Sequence, residues 1–579
     1  MTQPPNTAAD EDVAETVRTV ELRVLEGPNL YFPRPAIKLT LEVDAWLRAG
    51  GDRVAAIARA TGIPDLDPGA QGSDRRVHAT AQIAVQLTRR IAAAVRIGRL
   101  AVRGRTGPEF GRVIVAFPWR RRGAAEALAG AVATGMAAVL RRSPERVIAE
   151  LAREVTAADP GEEPTVPDPD FPVIQVSGTN GKTTTTRLIA HVVMTAGKRV
   201  AFSSTDGVYR DERLVRKGDY SGFGGAAIAL AQHPDVAVLE TARGGILLRG
   251  IGVMHNDVAV VTNVSADHLH LHGISTVDQL AEVKATVTRI TKADGWAVLN
   301  ADDPRVLSMR RTATGRPWLF SMDPRHPALR ETLARGGRVI TVLDGTIAWM
   351  EGSAVHPLID LDRVPVTLAG LSRMYTQNAL AAAAASLAVG LPARIVTKGL
   401  RTFVLDPKRN PGRTNLFSLD RRLLVLDYAH NEAGMDGLVE ILHGLHPPDR
   451  EIWLAIGTAG DRTDEILQGF AVRAALGADH LAIAELRKYL RGRPREDVIA
   501  QLRRGAARAG KRDVPVYPDE MRALRGMLKA SAPGDVVGIT ALAQRPQAFR
   551  WLRDHGARLL GPSDVRRLVR AATGVRRSA

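Results

Sequence analysis

Apolar residues in this chain follow two rhythms, and the switches between them predict its layout. Short, mostly apolar runs at Val173–Val176, Arg199–Ser203, Val236–Glu240 and Asp257–Asn263 predict buried strands. Leu188, Ile189, Val192 and Val193 recur at helical spacing within Lys182–Thr195, and a second helix is expected over Val277–Ile290. Ala379–Val389 reads as an alanine-rich helix. A second alternating set starts beyond about Lys408, with strands expected at Arg422–Asp427, Ile452–Ile456, His480–Ala484 and Asp535–Ile539. Such alternation predicts an α/β protein with mostly parallel sheets and ligands at the carboxyl ends of the strands.

The earlier part of the chain differs. Strands are expected at Thr19–Leu25, Lys38–Val43 and Arg112–Phe117, and helices at Val77–Arg99 and Gly123–Leu140, with a turn at Glu26–Asn29. This pattern predicts a small α+β domain over 19–158, preceded by a proline-containing, acidic and disordered stretch, 1–18. Five prolines and five acidic residues mark 159–172 as a linker. A central nucleotide-binding domain is then expected over 173–408, and a Rossmann-like domain over 409–579.

Between the strand at Val173 and the helix at Lys182 lies Ser177-Gly178-Thr179-Asn180-Gly181-Lys182-Thr183-Thr184-Thr185-Thr186. A glycine-bearing turn from a strand into a helix binds phosphate through backbone N–H groups and the helix dipole. Lys182 adds a positive charge, and the Thr183 hydroxyl is placed to reach a magnesium ion. Val176 stands where the longer form of this loop has its first glycine, so this is a shortened variant. Four consecutive threonines suit a helix start crowded with phosphate oxygens.

Composition narrows the classes. Lysine and arginine number 79 against 62 aspartates and glutamates, a net charge of +17 that favours anionic partners or reflects an arginine-rich composition alone. Arg89, Arg90, Arg96, Arg99, Arg103, Arg105 and Arg120–Arg122 concentrate this charge before the linker. A solvated face explains them first, an acidic or peptide polymer second; nucleic acid comes third, since no binding module accompanies them. The absence of cysteine excludes disulfides and thiolate metal sites. No apolar run approaches the ~20 residues of a membrane span, and the polar, acidic start is unlike a signal peptide. A soluble, cytoplasmic protein is expected.

Further clusters sit at predicted strand ends. Glu240 is followed by Thr241-Ala242-Arg243-Gly244-Gly245, Asn263 by Asp267-His268, Leu426 by Asp427-Tyr428-Ala429-His430-Asn431, and Ile456 by Gly457–Arg462. A carboxylate and an imidazole at neighbouring strand ends can complete a magnesium shell, although magnesium usually prefers oxygen ligands.

In this order, together with Ser204-Thr205-Asp206-Gly207, Asn300–Arg305, Gln377-Asn378-Ala379 and Pro411-Gly412-Arg413, these motifs resemble the Mur ligase family across Phe171 to Pro494. Within it the likeness is strongest to the ligase half of cyanophycin synthetases, whose first domain the N-terminal part also loosely resembles. Those enzymes carry an ATP-grasp ligase where this chain has only its linker. The resemblance implies an ATP- and Mg2+-dependent ligase that activates a carboxylate as an acyl phosphate and joins it to an amine. It implies that Gly178, Thr179, Asn180, Gly181, Lys182, Thr183 and Thr184 cradle phosphates, and that Thr183, Glu240 and His268 hold metal. Lys284 matches a lysine that is often carbamylated; Asn378 and Arg413 would contact adenosine, Asp427 the ribose, His430 the reacting groups and Arg462 phosphate. Glu432 replaces the family's usual proline, which puts substrate contacts in question, and Arg487-Lys488 stand where those synthetases carry acids, which predicts an amine other than arginine. The partners so implied are a carboxylate acceptor and an amino-acid-like amine, with a polymer, a partner ligase and homo-oligomerisation left open. Competing readings are a catalytically silent polymer-binding protein, another phosphate-loop NTPase, and a folylpolyglutamate-synthase-like ligase.

Overall fold

The computed structural model describes residues 17–267, 269, 271–447 and 449–578. The expected disorder of 1–18 falls almost wholly on residues outside this set, and Arg18 already belongs to the first strand. Four antiparallel strands, β1 (Arg18–Leu25), β2 (Ala36–Glu42), β3 (Arg103–Thr106) and β4 (Arg112–Pro118), form a sheet in the order β1-β2-β4-β3. Helices Asp74–Ala94, Arg122–Ala138 and Pro144–Ala157 pack against it. The first starts earlier and ends sooner than its apolar spacing predicts. Ser73 caps its start by accepting from the Arg76 amide, and beyond its end Arg96 and Gly98 turn left-handed.

The central sheet has eleven strands: β5 (Val173–Ser177), β6 (Val200–Ser204), β7 (Gly207–Arg210), β8 (Arg213–Lys217), β9 (Val236–Glu240), β10 (Asn256–Val261), β11 (Thr291–Asn300), β12 (Arg316–Phe320), β13 (Arg338–Leu343), β14 (Thr346–Glu351) and β15 (Ala354–Asp360). They lie in the order β15-β14-β13-β12-β11-β10-β5-β9-β6-β7-β8, parallel from β13 to β6 with antiparallel hairpins at both edges. Both faces are covered, which is why its inner strands read as apolar runs rather than alternations. Ile174, Val258 and Val260 pack on one face with helices Lys182–Thr195 and Arg373–Ala388. Val173, Ala259 and Val261 pack on the other, in a cluster shared with Leu25, Tyr31 and Phe32 of the N-terminal part. The same join carries the Arg105–Glu282 and Arg249–Glu26 ion pairs. At this join, a Cβ on Gly27 would sit 1.8 Å from the Ile251 carbonyl oxygen, so only glycine permits the approach.

The third sheet comprises β16 (Asn415–Leu419), β17 (Arg422–Asp427), β18 (Ile452–Ile456), β19 (His480–Ala484), β20 (Val516–Tyr517), β21 (Val536–Thr540) and β22 (Arg558–Leu559). Its order is β20-β19-β18-β21-β17-β16-β22, parallel up to β17 and antiparallel beyond. No helix among the described residues is long and apolar enough to cross a membrane.

Candidate active site

The carboxyl ends of β5, β9 and β10 face those of β17 and β18 across one cleft. Gly178 and Gly181 both hold positive φ, 141° and 86°. A Cβ on Gly178 would lie 2.0 Å from Thr262 Oγ1, and one on Gly181 would lie 2.2 Å from Asn378 Oδ1. The loop is therefore a cradle into which only backbone fits, opening directly into helix Lys182–Thr195. The Lys182 ammonium donates to the Thr179 carbonyl at 2.8 Å. Of the four threonines, Thr183 and Thr184 line the cleft. Thr185 and Thr186 are fully buried, and their hydroxyls have no partner among the described residues, so the expectation of a phosphate-facing row of four is corrected to two. On a helix, consecutive residues turn about 100° apart, which leaves room for only part of such a run on one face.

Thr183 Oγ1 donates to Glu240 Oε2 at 2.9 Å, and the Thr205 amide and hydroxyl hold the same carboxylate at 3.1 and 2.9 Å. This places a hydroxyl and a carboxylate, the hard oxygen donors that magnesium takes, side by side at the helix start. His268, the third expected metal ligand, lies outside the described residues.

Lys284 ends helix Val277–Lys284, which stops there instead of continuing to Ile290; the chain re-forms as the short helix Thr286–Arg289. The Lys284 ammonium is 3% exposed and donates to the Gly178 carbonyl at 2.6 Å. Burial, with Lys182 and Arg243 nearby, pushes its pKa well below the usual lysine value, against a smaller opposing pull from Asp267.

Residues from the third sheet close the cleft. His430 Nδ1 lies 2.8 Å from the Tyr428 carbonyl, which orients the ring with Nε2 3.7 Å from Asp267 Oδ2. Arg462, its side chain 2% exposed, approaches Asp267 Oδ1 at 3.5 Å and Asp461 Oδ1 at 3.2 Å. Asp427 lines the cleft, but its own chain engages both carboxylate oxygens: Thr414 N and Oγ1 at 2.8 Å, and Ala429 N at 2.8 Å. Burial raises its pKa, with these donors and Arg413 pulling the other way. Arg413 Nη2 reaches Thr183 Oγ1 at 3.3 Å. Asn378 Nδ2 and Arg462 Nε are buried donors with no acceptor among the described residues. Orphan donors of this kind beside a backbone cradle fit an anionic, acceptor-rich ligand such as a nucleotide.

Every expected site residue within the described set therefore meets in one cleft. Two specificity expectations do not. Glu432 pairs with Arg473 at 3.0 Å instead of facing the cleft, because as the first residue of helix Glu432–Leu445 it points towards the neighbouring helix. Arg487 and Lys488 are exposed and line a separate pocket beside Glu485 and Glu520, while Tyr489 and Arg491 reach the cleft. The repulsion expected at the amine position thus has no basis in Arg487 or Lys488.

Sequence reasoning missed Asp206, whose carboxylate receives Arg187, Arg413 and Arg545. Burial opposes its ionisation, but the three guanidinium groups outweigh burial and hold its pKa at about 2. Its only signal was its place in the Ser204–Gly207 motif; Arg545, 339 residues away, had none.

Residues 176–386 match the Mur ligase middle domain, and residues 412–541 match the Mur ligase glutamate ligase domain. The cyanophycin synthetase of a Synechocystis species is 39% identical over 316 residues, 54% of this chain and 36% of that one. That of Crocosphaera subtropica is 38% identical over 369 residues, 63% of this chain and 42% of that one. The match thus spans less than half the length of these relatives. A solved bifunctional folylpolyglutamate synthase/dihydrofolate synthase, with Mn, AMPPNP and L-glutamate bound, shares the fold at a TM-score of 0.50 and 20% identity, covering 66% of this chain and 89% of that one. The two Mur ligase models, matched in order along this chain, together cover more than half of it and show that it belongs to the Mur ligase family.

Proposed function

We propose that this chain is an ATP-dependent carboxylate–amine ligase. The observation that carries the reading is the meeting, in one cleft, of a phosphate cradle, the Thr183–Glu240 pair and Lys284 with His430 and Arg462 from the facing sheet.

In this reading the acceptor carboxylate attacks the γ-phosphorus of ATP, the bond to the ADP oxygen breaks, and an acyl phosphate forms. The amine nitrogen then attacks the acyl carbon, phosphate leaves, and the nitrogen gives up a proton. Such chemistry depends chiefly on positioning and on neutralising phosphate charge. Lys182 leaves the Thr179 carbonyl to hold the β- and γ-phosphates, and the amides at the start of helix Lys182–Thr195 cradle them, while Asn263 holds those of Thr179 and Asn180 in place. Asn378 and Arg413 contact adenosine and Asp427 the ribose. His430, oriented by Tyr428, offers Nε2 to the amine proton, and Arg462 meets the leaving phosphate.

Thr183 and Glu240, with His268, would hold Mg2+, which supplies charge neutralisation at the transferring phosphate. Lys284 is a candidate for carbamylation, because only a neutral amine adds carbon dioxide, and burial with Lys182 nearby lowers its pKa and so favours the neutral form. As a carbamate it would orient towards a second cation near the acceptor.

One such site makes one type of bond. We infer a single amidation, or joint work with a partner ligase, on an amino-acid-like amine, with the basic N-terminal part available to an acidic or peptide polymer. ADP release tested against pairs of carboxylates and amines, with product mass, decides the reading. ADP release that never depends on both partners would overturn it.

A further inference from the structure

Asp206 follows β6, and its side chain is 6% exposed. Three guanidinium groups from different parts of the chain converge on it. Arg187, on the helix that begins at the phosphate loop, lies at 3.4 Å; Arg413 at 3.3 Å; and Arg545, from helix Arg545–Asp554, at 2.6 Å. Arg413 and Arg545 both donate to the Pro411 carbonyl at 2.9 Å and flank the Tyr428 ring, 4.9 and 5.6 Å from its centroid. Gly412, between Pro411 and Arg413, is left-handed at φ 69°, and a Cβ there would lie 2.2 Å from Arg545 Cδ. The connection into the C-terminal part is thus clasped by Arg545 and fastened to the central sheet through one carboxylate.

The same cluster touches the phosphate cradle, since Arg413 also reaches the Thr183 hydroxyl. Asp206 is not their sole counter-charge: Glu240 and Asp427 also act on Arg413, and Glu520 on Arg545. What Asp206 fixes is where the guanidinium groups sit when an anion enters the cradle.

We propose that Asp206 is a positioning residue that holds the C-terminal domain against the phosphate loop before nucleotide binds and aims Arg413 into the nucleotide cleft. The ligase reading enters only in identifying the anion as nucleotide phosphate. Nucleotide binding and amide exchange are the readouts, so a failed search for amide synthesis leaves this claim testable.

The test uses the full chain with Asp206→Asn, Arg545→Gln and Arg545→Lys, measuring fluorescent-ADP affinity and amide hydrogen exchange across 405–415 without nucleotide. Losing a charge-assisted contact weakens ADP binding by roughly tenfold or more. Asp206→Asn and Arg545→Gln should each do this and speed exchange across 405–415. Arg545→Lys should restore most of both. The double variant should lose less than the sum of the two single ones, because both changes break the Asp206–Arg545 contact. Unchanged exchange and affinity in Arg545→Gln, or additive losses in the double variant, would overturn the proposal. Arg545 is 18% exposed, so its two variants carry the test if Asp206→Asn does not fold.

Discussion

Asn180 and Asn431 exchange side-chain amide hydrogen bonds at 3.2 and 3.1 Å, joining the phosphate loop to the start of helix Glu432–Leu445. Asn431 Oδ1 also caps that helix by accepting from the Gly434 amide at 2.9 Å. Asn431→Asp keeps the capping acceptor and removes the donor to Asn180. We expect a lowered melting temperature, since Asn431 is fully buried, and a KM for ATP raised by about tenfold or more, because a carboxylate replaces the donor beside the phosphate loop. Steady-state kinetics and thermal melting check this together; an unchanged KM would remove the pair from nucleotide binding.

Lys182→Ala removes the cationic side chain expected to meet the transferring phosphates. Among the described residues its ammonium hydrogen-bonds only a carbonyl of its own loop, so folding should be preserved. ATP turnover should fall by about a hundredfold or more. A folded variant that still releases ADP in a substrate-dependent way would contradict the assignment.

Lys284 makes two claims testable. Lys284→Ala should lose most activity and recover part of it when acetate is supplied, as a small carboxylate takes the place of the carbamate. Full activity without acetate would exclude the carbamate. The buried lysine also links stability to pH. Between its lowered folded value and 10.5 the unfolded chain binds the extra proton, so stability rises with pH across that window and is lowest below it. Denaturant titrations of wild type and Lys284→Met across that range should differ in slope, the variant being flatter.

Asp206 acts in the opposite direction. Its carboxyl titrates at about 2 in the folded protein against an ordinary 3.8, so its contribution is complete above 3.8 and lost as pH falls towards 2. That shift corresponds to about 2 kcal/mol. Asp206→Asn should therefore show a shallower loss of stability between pH 4 and pH 2 than wild type, measured by denaturant melts. Identical slopes would contradict it.

Much of the central and C-terminal architecture was legible because strands buried on both faces announce themselves as apolar runs. Val236–Glu240, Arg422–Asp427, Ile452–Ile456 and His480–Ala484 fall at their expected bounds. Helix Lys182–Thr195 does too, fixed by Gly181 at its start. Helix ends were harder: the Val277 helix stops at Lys284, and nothing in its apolar spacing marks that stop. Asp44–Arg48 is too short to show a period, whereas Gly51–Thr61 does carry one, with Val54, Ile57 and Ala58 at helical spacing, and its further alanines make it easy to pass over. In the cleft, local motifs exposed Lys182, Glu240 and His430. The Asp206 cluster stayed hidden, because its charges pair across hundreds of residues and no local spacing encodes such a meeting.

The most direct test of the central claim is one assay: purified chain, ATP and Mg2+ incubated with a matrix of carboxylate acceptors and amines, scoring ADP release and product mass together. Aspartate-terminated peptides with arginine and with other amino acids belong in the matrix. The account predicts ADP release that requires both partners of at least one pair, with a product of their summed mass less one water. ADP release independent of any acceptor, or release with no condensed product, would contradict it.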